Sequence, residues 1–119
     1  MTNTIELPWP SPELSPNARV HWTVKARAAK DARLEGRLLA LSAKIIIPKG
    51  VPLQMILVFR PPNRRWHDLD NAETMIKNYI DGIFSASEAD DHQIKRTIKD
   101  LDDPCPGGKV TITIRELLC

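Results

Sequence analysis

Cysteine is scarce: Cys105, inside a Pro-Gly loop, and Cys119, at the last position, are the only two in 119 residues. Neither C-x-x-C nor a zinc-type spacing can be drawn from them, so both read as inert thiols and no cysteine-based staple is expected. Also missing is any apolar run near the roughly 18 to 20 residues that span a bilayer, AKIIIPKG being far too short, and no membrane partner is expected. The opening MTNTIELPWP has neither the basic nor the apolar stretch of a secretory leader, so the expected setting is cytosolic. No G-x-x-x-x-G-K-[ST], G-x-S-x-G or H-E-x-x-H occurs, which leaves nucleoside-triphosphate, serine-hydrolase and zinc-protease chemistry without support. Internal repeats and low-complexity tracts are lacking as well.

What is present is an ordinary globular composition, 42% hydrophobic and 27% charged, in a length that makes one domain, residues 1–119. The net charge of +2 says little, but its distribution says more. Residues 1–67 carry 11 Lys and Arg against 4 Asp and Glu, whereas residues 68–103 carry 4 against 10. A basic block beside an acidic one suits a protein that attracts a polyanion while gathering carboxylates at one spot for a cation. Solvated helix faces would give the same count.

Alternating Ile5 and Leu7 in TNTIELPW predict a short strand, ended by Pro8 and Pro10. A proline-rich connection follows, carrying Arg19, His21 and Trp22. From Thr23, a plausible N-cap, to about Lys44 the pattern is helical, with Leu34, Leu38, Leu41 and Ile45 on the apolar side. Lys25, Arg27, Lys30, Arg33 and Arg37 occupy the other. Residues 52–60, PLQMILVFR, read as a strand buried on both faces. A second helix starts near Asp70 and turns Met75, Ile76, Tyr79, Ile80 and Ile83 inward. HQIKRTIKDL reads as a strand with Ile94 and Ile98 on one face, and KVTITIRE as a strand with Val110, Ile112 and Ile114 inward, the two closing as a hairpin. The resulting expectation is an α/β (α+β) fold: a small mixed sheet in the order β-α-β-α-β-β with two helices packed on it. The loop RPPNRRWHDLDN leaves the carboxyl end of a central strand, where ligands tend to sit in such sheets.

That loop runs into RRWHDLDNAETMIK, which places Asp68 and Asp70 one residue apart. An aspartate at a helix start acts as a cap, stabilising by roughly 0.5 to 2 kcal/mol, and no metal is needed for that. One cap does not account for both aspartates, nor for a second pair, Asp90 and Asp91, after the same helix. Four carboxylates near one mouth repel unless a hard cation offsets them, and oxygen-rich sites of this kind suit Mg²⁺ and Mn²⁺. An EF-hand loop from Asp68 fails, because its sixth and twelfth places would be Glu73 and Tyr79. His67 and His92 each adjoin an acidic residue, so a mixed His and carboxylate metal site stays open.

Taken in order, LPWP after the first strand, DLDN at 68–71, DD at 90–91 and GGKVTITI near the end resemble the RusA-type Holliday junction resolvases, small dimeric Mg²⁺-dependent endonucleases that cut four-way DNA junctions. The resemblance spans nearly the whole chain. It implies catalytic, metal-holding aspartates at Asp68, Asp70 and Asp91, with Asp90, their neighbour, as a further candidate ligand. The family's lysine commonly stands one turn after the aspartates, where this chain has Thr74. KNYIDGI resembles the family's lysine segment displaced by about three residues, which makes Lys77 the counterpart. Lys77 lies close to two helical turns, about 10 Å, beyond Asp70 on one helix face. The resemblance further implies Mg²⁺, with Mn²⁺ as a substitute, a homodimer, and a bacterial or phage setting. Arg60, Arg64, Arg65 and the stripe beginning Lys25, Arg27, Lys30 would track the DNA backbone. Two other readings remain: a non-catalytic nucleic-acid-binding protein whose acids are caps and solvated surface, and a metal-dependent nuclease for another branched or single-stranded DNA.

Overall fold

The computed structural model describes residues 3–64 and 69–118. Its elements run β1 (Thr4–Pro8), α1 (Trp22–Ala43), β2 (Leu53–Arg60), α2 (Leu69–Ser85), β3 (Ile94–Leu101) and β4 (Lys109–Glu116). Short 3₁₀ turns, Pro12–Leu14 and Asp91–Gln93, precede α1 and β3. The fold is α+β in the expected order: a four-stranded mixed sheet with two helices packed on it.

The sheet order is β1-β4-β2-β3, with β2 and β3 parallel and the other pairs antiparallel. The hairpin expected between the last two strands therefore does not form, because β4 inserts between β1 and β2. Composition explains the exchange. Val110, Ile112 and Ile114 of β4 are wholly buried and need neighbours on both sides. β3, with Lys95, Arg96, Lys99 and Asp100, can serve as a charged edge that discourages further strand pairing. The connecting loop crosses the end of β2, where the Asp102 N–H donates to the Phe59 carbonyl at 2.9 Å and the Cys105 N–H to that of Pro61 at 3.0 Å. Gly107 and Gly108 make the turn with φ of 77° and 70°.

One side of the sheet carries the core: Ile5, Leu7, Leu53, Met55, Leu57 and Phe59 pack there with the three β4 residues. On the other side Ile56 and Val58 are half-buried beside Thr111 and Thr113, so β2 is buried on one face and not on both. In β3 a register shift beside Leu53 and Gln54 skips Lys95, so Ile94 packs against the core while Ile98, 36% exposed, pairs with Ile56 on the open side. A one-residue bulge of this kind sends residues four apart to opposite faces.

α2 buries Met75, Ile76, Tyr79, Ile80 and Ile83 as its spacing predicts, together with Ala72 and Phe84. Burial pushes the Tyr79 hydroxyl up to about 12, with the Glu35 carboxylate adding to the shift. α1 is turned the other way round. Leu34, Leu38 and Leu41 are 55%, 55% and 51% exposed, and Ala32, Gly36 and Ala40 face inward. The reason is the closeness of the helices. A Cβ on Gly36 would fall on the Tyr79 carbonyl, and one on Gly82 on that of Arg33, so only small side chains fit where α1 meets α2. His21, not Thr23, caps α1: its Nδ1 accepts the Thr23 N–H at 3.2 Å. At the other end Lys44 takes the left-handed cap conformation with φ of 54°.

Candidate functional site

Parallel strands β2 and β3 can be joined only if α2 runs back along them, and β3 is an uncovered edge. Between them lies a cleft of 470 Å³ lined by Met55, Asp70, Glu73, Thr74, Lys77, Ile80, Asp81, Asp91 and Ile94. Residues 70, 74, 77 and 81 recur at the spacing that keeps one helix face outward, so α2 presents an unbroken polar ridge. Three residues expected at the site, Asp70, Lys77 and Asp91, thus share one cleft. Asp68 and Arg65, and with them Trp66 and His67, lie outside the described residues.

At the amino end of α2 the ridge meets the sheet edge. Lys99, opposite Leu57 in the parallel register, projects from the helix-facing side of β3. Its ammonium lies 2.6 Å from Asp70 Oδ1 and 2.9 Å from Glu73 Oε2. The hydrogen bond from Lys99, followed by its charge, holds the Asp70 carboxyl below the usual carboxylate range. The same hydrogen bonds, Asp70 first and Glu73 second, raise Lys99 above the usual lysine value. Thr74 Oγ1 donates to the Asp70 carbonyl at 3.0 Å and so turns back along the helix.

The other end is a local structure. Asp90 caps the 3₁₀ turn, its Oδ1 accepting the His92 N–H at 2.8 Å and standing 2.8 Å from the His92 Nδ1. Gln93 Oε1 closes the capping box on the Asp90 N–H at 2.7 Å. The Gln93 amide then donates to the carbonyls of Pro48 and Val51 at 3.0 and 2.9 Å. The backbone N–H of His92, then its imidazole, lower the Asp90 carboxyl. Ligand atoms of Asp90, Asp91 and His92 lie within 4.8 Å of one another, the one such group among the described residues. Lys99 lies five positions beyond Ile94 on β3, roughly 16 Å of strand, so Asp70 and Asp91 enter the cleft from opposite ends.

The expected backbone-tracking residues are more dispersed. Arg60 pairs with Asp102 at 2.9 Å, and exposed Arg64 lines a smaller hollow beside it at the carboxyl end of β2. Arg27 and Lys30 are exposed on α1, while Lys25 is half-buried. Arg33 donates to Asn78 Oδ1 at 3.3 Å and Arg37 to the Ser85 carbonyl, which fastens α1 to the flank of α2. Glu73, Asp81 and Lys99 were missed from sequence. The helical spacing of Asp81 from Lys77 and of Glu73 from Asp70 could have revealed the first two. No local signal marks Lys99, which needs the β2–β3 register.

No family model matches the chain. A protein of Xylella fastidiosa (strain Temecula1 / ATCC 700964), described only as an uncharacterized protein, is 39% identical over 114 residues, covering 93% of this chain and 74% of its own length. The chain belongs to the same family as that bacterial protein.

Proposed function

We propose that the protein is a Mg²⁺-dependent endodeoxyribonuclease that resolves four-way DNA junctions by paired nicks. The observation that carries this reading is that Asp70, Lys77 and Asp91 line one solvent-open cleft. The ordered resemblance of LPWP, DLDN, DD and GGKVTITI to the RusA-type resolvases supports it. The donors offered are carboxylate oxygens, the chemistry that Mg²⁺ and Mn²⁺ favour. Asp70, with Asp68, and Asp91 from the opposite end of the cleft would hold one or two Mg²⁺ ions, which would supply water activation and charge neutralisation at the scissile phosphate. Lys77 projects from the ridge into the same cleft and offsets charge on the phosphate oxygens. Arg64, Arg65 and the exposed cations of α1 position the backbone without reading bases. A two-fold homodimer matches the near-symmetry of a junction and sets one cleft on each of two opposed strands. The setting is the cytosol of a bacterium, or of a phage-infected one; among the described residues no helix is long and apolar enough to cross a membrane.

A second reading has its own support: Asp90 already caps a turn and Asp70 is already ion-paired, duties that a non-catalytic DNA-binding protein would also need. Incubating a labelled four-way junction beside a linear duplex, with Mg²⁺ and with EDTA, separates the two. Paired nicks in the junction with Mg²⁺ alone are expected. A bandshift without nicking in either condition overturns the nuclease in favour of the binding protein. Nicking of other branched or single-stranded DNA in preference keeps the chemistry and changes the target. Light scattering at assay concentration should give a dimer mass.

A further inference from the structure

We propose that Lys99 is the resident cation of the cleft: its ammonium holds Asp70 and Glu73 while no divalent ion is bound, and it gives way to that ion at Asp70. This rests on the metal-dependent reading above and deepens it, since it assigns to a strand residue the control of metal entry.

The geometry is that of one cation shared by two carboxylates, at 2.6 and 2.9 Å. The partners are held unequally. The Lys99 side chain is 29% exposed and rises from a paired strand, whereas that of Asp70 is 86% exposed on the first turn of a helix. Against Asp70 the ammonium is therefore the anchored member, while Glu73, 34% exposed, is held about as closely as Lys99 itself. The ammonium occupies Oδ1 of Asp70, so a divalent ion bound directly to Asp70 shares that carboxylate with it. The ion would stand roughly 4 to 6 Å from the ammonium, a repulsion that movement of one cation relieves. The exchange breaks and makes ionic contacts alone, with no proton or electron transferred. Lys77 has no such place: it lines the same cleft, exposed, and forms no ion pair among the described residues. The competition is thus specific to the lysine delivered by β3.

The test is calorimetric titration of the metal-free full chain with Mn²⁺, for wild type, Lys99→Gln, Lys77→Gln and Asp70→Asn. Removing the competing charge should tighten Mn²⁺ binding by about five- to tenfold in Lys99→Gln. Lys77→Gln should stay within about twofold of wild type, because its charge is not on the carboxylates. Asp70→Asn should lose most of the heat. Saturating Mn²⁺ should also raise Tm by more in Lys99→Gln than in wild type, a signature that a merely structural lysine does not produce. Should Lys99→Gln fold poorly, the wild type itself answers. The Lys99 Nζ resonance in ¹⁵N-detected lysine spectra should shift or vanish on titration with Mg²⁺ while that of Lys77 holds. Equal or weaker Mn²⁺ affinity in Lys99→Gln, or an unmoved Lys99 resonance at metal saturation, overturns the exchange and leaves the metal-dependent reading intact. Absence of Mn²⁺ binding to wild type and Lys99→Gln alike overturns that reading, and the role of Lys99 falls with it.

Discussion

The two ends of the α2–β3 cleft hold their acids by different means. Asp90, Asp91 and His92 are consecutive, and their geometry is that of a single capped turn. Asp70 and Glu73 are oriented by Lys99, which comes from 26 residues or more further along the chain and depends on the parallel pairing of β2 with β3. A locally built end survives small displacements of the helix over the sheet. A tertiary end does not, because its ion pairs cross the gap between layers. The difference teaches that, of the carboxylates proposed to hold the ion, Asp70 is the most sensitive to the fold, and that Asp91 owes its position to a neighbour, Asp90, already committed to a cap.

The largest expected effect breaks the tertiary end directly. Asp70→Asn should lower single-turnover nicking of a four-way junction by about 100- to 1000-fold, since a neutral amide holds a divalent ion poorly. Junction affinity in a bandshift should be unchanged or tighter, because a charge that repels phosphate is gone. Asp91→Asn should act in the same direction if both ends serve one reaction. Full activity in Asp70→Asn would remove Asp70 from the site.

Next comes the support common to both ends. Gly82 sits where α2 touches the backbone of α1, so Gly82→Val forces the helices apart with no flexible side chain to yield. A loss of about 3 kcal/mol in urea unfolding is expected, at the upper end of overpacking effects. The shift should disturb the Lys99 ion pairs more than the capped turn. An unaltered midpoint would contradict the close approach of the two helices.

Between the ends stands Lys77, and at the neighbouring loop Arg64. Lys77→Ala should lose most turnover, roughly tenfold or more, with little change in junction affinity, because one phosphate contact among many matters less than a cation at developing charge. Arg64→Ala should do the reverse, weakening binding and flattening the salt dependence by about one unit of slope with the saturated rate retained. Measuring rates and affinities for both across a salt series checks the division of labour.

Legibility followed the same local and non-local divide. α2 was readable because its large apolar residues and its polar ridge obey one helical period, and β4 because Val110, Ile112 and Ile114 alternate cleanly. α1 was misread because hydrophobicity ranks leucine above alanine and glycine, whereas the space left at Gly36 and Gly82 admits only the small residues. The hairpin was misplaced for a related reason: adjacency in sequence favours β3 beside β4, but the charge on β3 makes it an edge and leaves the centre to the more apolar strand. Of the residues lining the cleft, Asp70, Lys77 and Asp91 could be singled out from motif and resemblance. Lys99 could not, since nothing near it in sequence says which strand it pairs with or in what register.

The smallest effect sharpens the local end. Asp90→Ala removes the side chain that accepts the His92 N–H, while Gln93 keeps its bonds to Pro48 and Val51 and so anchors the turn from its other side. A fall in Tm of roughly 3 to 6 °C is expected at neutral pH, the usual effect of losing a cap in a domain of this size. Because His92 lowers the Asp90 carboxyl, the folded state prefers it ionised. The cap therefore stabilises fully above the ordinary value of 3.8 and fades as the pH falls below it through the lower folded value. Melting curves of wild type and Asp90→Ala should accordingly stay separated from neutral pH down to about 4 and converge below it. Nicking at saturating Mg²⁺ should remain within about threefold of wild type, because the cap positions Asp91 without replacing it. A hundredfold loss of nicking in Asp90→Ala with an unchanged Tm would reverse the assignment, making Asp90 the carboxylate of the reaction and Asp91 its neighbour.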